Sequence, residues 1–433
     1  MRIYLGLGSN LGDRRSNLFR ALELLNEKTL SVNRISPVVE SPALLPEDSP
    51  EDWNRPFLNL ALQCETQAEP EIVHSWIEEI ERRLGRTSGP RWSPRPIDID
   101  ILIWGDQELR TATLTIPHVG LRNRNFVLTP LIALAPQLIP PGPSGESLLE
   151  SSRRLETHIP LWMGIINVTP DSFSDGGRFL AWDNVEPHVR GMIEAGAHII
   201  DVGGESTRPG AEILTAEAEW ARVSPILERL IEARQEDALG PLISIDTYHV
   251  ETARRALGLG ADVVNDVGGL CTPEMIGLAG ETGADFIAMH QLSLPVDSSI
   301  TLPASVNPYE AVEQWLLERI DVWGKAGLDL NRIIFDPGIG FGKTASQSLE
   351  LVRRAGEFRQ HGLRVLVGHS RKSFLRAAAG DDMADRDLAT VDLSMDLCDQ
   401  GVDILRVHDV PMNINAYRAR ARTTPDGSPD PGH

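Results

Sequence analysis

From residue 161 onward, short apolar runs alternate with longer amphipathic segments, and this alternation restricts the possible folds more than any other feature. The runs are Leu161–Asn167, His198–Asp201, Leu242–Asp246, Asp262–Asn265, Ala284–Met289, Arg332–Asp336, Arg364–Val367 and Asp403–Val407. Each reads as a buried strand, while Ala216–Gln235, Glu251–Leu259, Ala311–Ala326 and Ser348–Gln360 read as helices between them. Eight β/α units in roughly 260 residues fit a closed (β/α)8 TIM barrel, with a doubly wound sheet as the main competitor. Count and length favour the barrel.

Such a barrel carries its chemistry at the C-terminal ends of its strands. Polar residues gather at those positions: Asn167, Asp201 with Gly203-Gly-Glu-Ser-Thr-Arg208, Asp246-Thr247, Asn265-Asp266, His290, Asp336-Pro-Gly338, Gly368-His-Ser-Arg-Lys372 and Arg406-Val-His408. One such residue alone reads as a helix cap or turn former; the whole set in register does not. The run Asn167 to Gly177 is either a polar turn or a loop carrying chemistry, and the recurrence favours the second. Arg371 and Lys372 either open an ordinary basic helix or serve an anion or ligand, since a helix N-terminus disfavours cations. Gly340-Phe-Gly-Lys-Thr344 suggests a phosphate-binding P-loop, but Pro337 stands where the template needs glycine.

The first third reads as a separate α/β unit with strands Arg2–Gly8, Ser31–Val39, Leu58–Glu65 and Ile97–Trp104 and helices Ser16–Asn26 and Glu69–Leu84. A compact antiparallel or mixed sheet with helices on its faces is expected. Pro140-Pro-Gly-Pro-Ser-Gly145 and a short helical candidate, Glu146–Glu156, close this unit, and the boundary falls near residue 158. The expected organisation is 1–158, 159–420 and a disordered tail, 421–433, that lacks apolar residues.

With 41 basic against 62 acidic residues, the net charge of −21 provides no broad positive field for a nucleic acid. Anionic ligands must be met locally, by Arg86, Arg91, Arg95, Arg122 and Arg124 or by Arg371, Lys372, Arg376, Arg406 and His408. No window approaches the ~18 apolar residues of a membrane span. The start, Met1-Arg-Ile-Tyr-Leu-Gly-Leu, lacks a signal-peptide layout, so a cytoplasmic protein is expected. Cys64, Cys271 and Cys398 are far apart, odd in number and without CxxC spacing, and read as buried thiols.

In Arg91-Trp-Ser-Pro-Arg-Pro-Ile-Asp-Ile-Asp-Ile101, Ile97, Ile99 and Ile101 face one side of a strand and Asp98 and Asp100 the other, about 6.6 Å apart. The two carboxylates are either edge-strand aspartates paired with arginine or a magnesium site that presents nucleotide phosphates. Together with Gly8-Ser-Asn10, Phe57-Leu-Asn59, Ile116-Pro-His118 and Arg122-Asn-Arg124-Asn-Phe126, this segment resembles hydroxymethyl-dihydropterin pyrophosphokinase from Met1 to about Glu150. The resemblance implies a ferredoxin-like α/β fold and transfer of pyrophosphate from ATP, the substrate, to a pterin alcohol. It implies catalysis by Asp98, Asp100 and Arg95, with two Mg2+ ions on Asp98 and Asp100. ATP would meet Glu81, Arg91, Arg95, His118 and Arg124, and the pterin Ser41, Pro42, Leu44, Asn59, Trp92 and Phe126. Ser93 replaces a usual glycine, the loop Gly85–Arg91 is short and Glu47–Pro56 is expanded, departures that bear on turnover speed.

Asn167-Val-Thr-Pro-Asp-Ser-Phe-Ser174, Gly203-Gly-Glu-Ser-Thr-Arg-Pro-Gly210, Ser244-Ile-Asp-Thr247, Asn265-Asp266, Asp336-Pro-Gly, Ser370-Arg-Lys-Ser373 and Arg406-Val-His408 together resemble dihydropteroate synthase, from about Leu161 to Arg418. The resemblance implies a pterin site of Asp246, Asn265, Met289, Asp336 and Lys372, with Asp336 and Lys372 catalytic. Arg406, His408 and one Mg2+ on Asn167 would take pyrophosphate, and Thr207, Arg208, Phe341 and Ser370 para-aminobenzoate. One departure is Gln291–Val306, which lacks a usual glycine-proline turn. The two resemblances imply consecutive steps of folate synthesis on small-molecule substrates, with no nucleic-acid or membrane partner and a homodimer through the barrel. One rival has only the synthase half active; another is a non-catalytic pterin-carrier barrel, which would not need Arg406, His408 or the Ser370-Arg-Lys372 segment.

Overall fold

The structure is a computed structural model that describes residues 1–87, 89–168, 178–206, 213–294, 297, 299–375 and 382–423. It divides into two compact units, one of Met1–Ile159 together with the segment from Ala419 and the other of Pro160–Arg418.

In the first unit, β1 (Arg2–Ser9), β2 (Leu30–Ile35), β3 (Val39–Ser41), β4 (Phe57–Thr66) and β5 (Asp98–Trp104) form an antiparallel sheet in the order β2-β4-β1-β5, with β3 also on β4. With α1 (Arg14–Asn26) after β1 and α2 (Pro70–Arg83) after β4, the order is ferredoxin-like. Ile3, Leu5 and Leu7 alternate with Tyr4, Gly6 and Gly8, so both faces of β1 find cover. α1 and α2 pack on β1 and β5, while α3 (Asn125–Leu134) and α4 (Leu148–Ser152) pack through Leu128, Leu131 and Leu148 on Tyr4, Ala61 and Leu102. The expected strand Ser31–Val39 is broken into β2 and β3. Ser36 leaves the ladder there, its N–H donating to the Ala61 carbonyl and its hydroxyl accepting from Ala61 N–H, both at 2.9 Å, and Pro37 has no N–H to offer. The expected helix Glu146–Glu156 shrinks to α4, opened by a Ser147–Glu150 capping box.

A small pair, β6 (Leu109–Arg110) and β7 (Thr115–Ile116), precedes α3. The second unit is a closed parallel barrel of eight strands: β8 (Leu161–Asn167), β9 (Ile199–Gly203), β10 (Leu242–Asp246), β11 (Val263–Asp266), β12 (Asp285–Met289), β13 (Ile333–Asp336), β14 (Arg364–Val367) and β15 (Ile404–Val407). The doubly wound alternative is therefore excluded. Among the described residues each strand is followed by a helix: α5 (Arg178–Ala195), α6 (Ala216–Glu236), α7 (Val250–Leu259), α8 (Pro273–Glu281), α9 (Pro308–Lys325), α10 (Ala345–Arg353), α11 (Met383–Asp399) and α12 (Val410–Thr423). β12, β13 and β14 are buried throughout, as strands covered on both faces must be. Their outward side chains meet the helices in one core that includes Phe286, Trp323, Phe335 and Phe358.

The expected helix Ser348–Gln360 is divided into α10 and a 3-10 segment, Ala355–His361. The α-helix stops at Arg354, whose φ is −123°, and Gly356 then passes so close to Gln400 that a Cβ would sit 2.1 Å from that residue's carbonyl oxygen. α12 runs to Thr423, past the expected start of the tail at 421, and the rest of that tail lies outside the described residues. No helix among the described residues is long and apolar enough to cross a membrane.

Candidate active sites

Asp98 and Asp100 open β5 on the face opposite buried Ile97, Ile99 and Ile101, as the period-two reading expects. The register makes room beside them. Gly8 of β1 lies directly across from Asp98 and Gly6 across from Asp100, so β1 presents no side chain there. One strand further, Asn59 is the partner of Gly8, and its amide donates to buried Ser41 Oγ at 3.0 Å. A Cβ on Gly8 would already crowd Asn59 Oδ1 at 3.3 Å. The glycines thus keep β1 free of side chains between the carboxylate end and the amide end, a floor that Leu102 covers over Gly6 and Phe57 borders at Gly8.

Arg86 and Arg95 both bind Asp98, Arg95 at 3.1 Å, and Arg86 also holds Glu81. Glu81 in turn accepts the Ile99 N–H at 2.9 Å, and burial pushes it up to about 7 against the pull of Arg86. The arginine-paired alternative therefore accounts for Asp98. It does not account for Asp100, which faces His118 Nε2 at 3.9 Å and is raised by burial and then by Asp98. Gly120 N–H donates to His118 Nδ1 at 3.1 Å, which leaves the ring's proton on the side of Asp100. Arg91 is exposed and stacks over Trp92 at 5.0 Å, and Trp92 takes a left-handed backbone, φ 73°. Arg124 caps α3 and lies 5.9 Å over Phe126, while Pro42 is exposed and Leu44 half-buried. Arg122, counted among the anion-meeting arginines, instead donates to Glu146 O, Ser151 Oγ and Pro140 O and holds the closing loop.

In the barrel, Arg406 reaches from β15 to carboxylates on β9 and β10, with 2.6 Å contacts to Asp201 Oδ2 and Asp246 Oδ2. Asn265 donates to the same Asp201 oxygen at 3.0 Å. Asp201 Oδ1 is buried without a hydrogen-bond partner, an acceptor that a bound donor would satisfy. Burial lifts Asp246 to about 7 while Arg406 opposes, and raises Asp336 while Lys372 opposes. Asp336 accepts the Gly338 N–H at 2.7 Å, a turn that only glycine permits: φ is 64° and a Cβ would lie 1.8 Å from His290 O. Lys372 donates to Ile339 O, lies 4.5 Å over the Phe341 ring and is brought down to about 8 by burial. Ser370 is buried and its hydroxyl accepts the His408 N–H at 3.2 Å and meets Nδ1 at 3.0 Å. Met289 is buried beside Asp336 in the β12–β13 register, and Asn167 is exposed at the end of β8.

Thr207 and Arg208, most of the run to Gly177, and Arg376 lie outside the described residues. Of the paired cations at the β14 exit, Arg371 is held bidentately by Asp387 at 2.7 and 2.8 Å, so only Lys372 faces the site. Lys343 is buried on Gly338 O, Phe341 O and His290 Nδ1 at 2.8 to 2.9 Å. It ties a loop together and is not a phosphate lysine, in keeping with the failed P-loop template. Asp201 is the residue that sequence reasoning undervalued: its strand-end position is visible, but its role as the shared acceptor is not.

Residues 163–408 match the family described as pterin binding enzyme, and residues 4–136 match 7,8-dihydro-6-hydroxymethylpterin-pyrophosphokinase. Across 97% of each chain, the protein is 37% identical to the folate synthesis bifunctional protein of Chlamydia caviae. The chain belongs to the bifunctional folate-synthesis family. The mitochondrial folate synthesis bifunctional protein of Arabidopsis thaliana is another relative, 34% identical over 96% of this chain and 82% of that one. Among solved structures, dihydropteroate synthase from Anaplasma phagocytophilum with bound 6-hydroxymethylpterin-monophosphate is 39% identical, with a TM-score of 0.55, covering 61% of this chain and 98% of that one. As a bifunctional folate-synthesis enzyme, the chain is a transferase that pyrophosphorylates 6-hydroxymethyl-7,8-dihydropterin and condenses the product with para-aminobenzoate. The two families use ATP and Mg2+.

Proposed function

We propose that Asp246, Asn265, Asp336 and Lys372 hold the pterin in the barrel, with Met289 as a wall. An aminopyrimidinone edge sets donors beside acceptors, which suits the buried Asp336 and half-buried Asp246 carboxylates, an amide and an ammonium. Arg406, His408 and Asn167 receive the pyrophosphate. As the methylene C–O bond breaks, its electron pair leaves with the pyrophosphate, and the amine of para-aminobenzoate forms the C–N bond and gives up a proton to water. Positive charge at the leaving group lowers that barrier. Thr207, Arg208, Phe341 and Ser370 order the amine. The observation that carries this reading is the Arg406 guanidinium, pinned at 2.6 Å by two carboxylates on different strands.

In the first unit, Asp98 and Asp100 are proposed to hold two Mg2+ ions, and Asn167 a third in the barrel. Asp100 without an arginine partner, beside the side-chain-free strand at Gly6 and Gly8, suits a cation. Bound Mg2+ supplies neutralisation of phosphate charge. Arg95, with Glu81, Arg91, His118 and Arg124, positions ATP, and Ser41, Pro42, Leu44, Asn59, Trp92 and Phe126 line the pterin slot, so that alignment supplies the rate. Domains 1–158 and 159–420, a homodimer through the barrel and a cytoplasmic location complete the reading; three free cysteines, Cys64 and Cys398 buried as expected and Cys271 exposed against expectation, suit a reducing compartment. Sedimentation velocity at twice the chain mass of 47.6 kDa tests the dimer.

Asp98→Ala should abolish AMP formation from ATP and the pterin alcohol while leaving condensation of supplied pterin pyrophosphate intact. Lys372→Ala should do the converse. Loss of both reactions in either variant would sink the two-site assignment.

A further inference from the structure

Glu205, Glu219 and His249 converge from three elements and take no part in the assignments above. Glu205 follows β9, Glu219 lies in the first turn of α6, and His249 follows β10 as the N-cap of α7. One carboxylate oxygen from each glutamate and one ring nitrogen of His249 lie within 4.8 Å of one another. His249 Nε2 is 3.0 Å from Glu205 Oε2, and the Tyr248 hydroxyl donates to Glu205 Oε1 at 2.6 Å. Thr247 donates to Glu219 Oε2 at 2.6 Å. Glu219 is fully buried, and its other oxygen, Oε1, has no hydrogen-bond partner. The Thr252 hydroxyl is near enough to Glu219 to favour its charge, but by geometry it donates to the Ala216 carbonyl, at a long 3.4 Å, and not to Oε1.

A buried carboxylate with one oxygen left over, beside a second carboxylate, calls for a cation or a proton. Two oxygens and an imidazole nitrogen are a ligand set that zinc-class ions favour over magnesium, whose all-oxygen preference the imidazole does not meet. We propose that Glu205, Glu219 and His249 bind a divalent cation of the zinc class. The ion ties the exits of β9 and β10 to the start of α6. Because Glu205 stands two positions before Thr207, it anchors the root of the segment that carries Thr207 and Arg208.

The full-length protein, stripped with a chelator, is titrated with Zn2+ in excess Mg2+, which keeps the hard-cation sites filled. Wild type is compared with Glu219→Gln and His249→Gln by zinc content after gel filtration and by thermal unfolding, with far-UV circular dichroism as the check on folding. Wild type should retain one more zinc per chain than either variant, and zinc should raise the melting midpoint of wild type alone. Should Glu219→Gln fail to fold, His249→Gln, altered at a side chain 18% exposed, carries the comparison. Equal zinc content in wild type and folded variants, or a wild-type midpoint that zinc does not move, overturns the proposal and assigns the vacancy at Glu219 to a proton.

Discussion

Asp246 and Lys372 show how burial sets chemistry at single residues. Burial lifts the Asp246 carboxyl to about 7, with Arg406 opposing, and lowers the Lys372 ammonium to about 8, with Asp336 opposing. Below about 7 Asp246 gains a proton and loses its capacity to accept two pterin donors; above about 8 Lys372 loses its charge. The kcat/KM for condensation should therefore rise through about 7, peak, and fall through about 8. Asp246→Asn should lower the rate and remove the acid limb; a full-strength acid limb in that variant would reassign it to another group. Gly338 is constrained differently. Its φ of 64° and the 1.8 Å clash that a Cβ would make with His290 O predict that Gly338→Ala costs at least ~2 kcal/mol in chemical denaturation and loosens Asp336.

At the scale of elements, the register of β1 matters more than its side chains. Gly8 stands between Asp98 and Asn59 in one cross-strand row, so a branched side chain there would intrude between the proposed metal end and pterin end of the first unit. Gly8→Val should cut AMP formation at least about tenfold, the scale of loss expected from small misplacements, with condensation unchanged. A variant with normal AMP formation would remove Gly8 from the floor of that site. Strands and most helices were legible in the sequence because alternation and amphipathic spacing are properties of neighbouring residues. The break at Ser36-Pro37 and the close passage of Gly356 were not, because each answers to a distant carbonyl, at Ala61 and at Gln400. α3 was hidden behind the arginine-rich motif that leads into it and by Pro130 within it.

For the whole molecule, two compact units predict separable losses. Trp323 is fully buried in the barrel core and donates to Leu270 O at 3.0 Å. Trp323→Ala should destabilise the barrel by about 3–5 kcal/mol. Condensation should then fail at a lower temperature than in wild type, while AMP formation keeps its thermal profile; a parallel loss of both would mean that the units unfold as one. The sequence by itself determined the eight-strand count, the polar residues at the strand ends, and the opposed faces of Ile99 and Asp98, because these follow from local periodicity. Only the tertiary structure decided that Arg406 meets Asp201, 205 positions away, that Arg371 turns to Asp387 while Lys372 faces the site, and that Glu205, Glu219 and His249 converge. Such pairings arise when the barrel closes, and no pattern along the chain encodes which side chains that closure brings within reach.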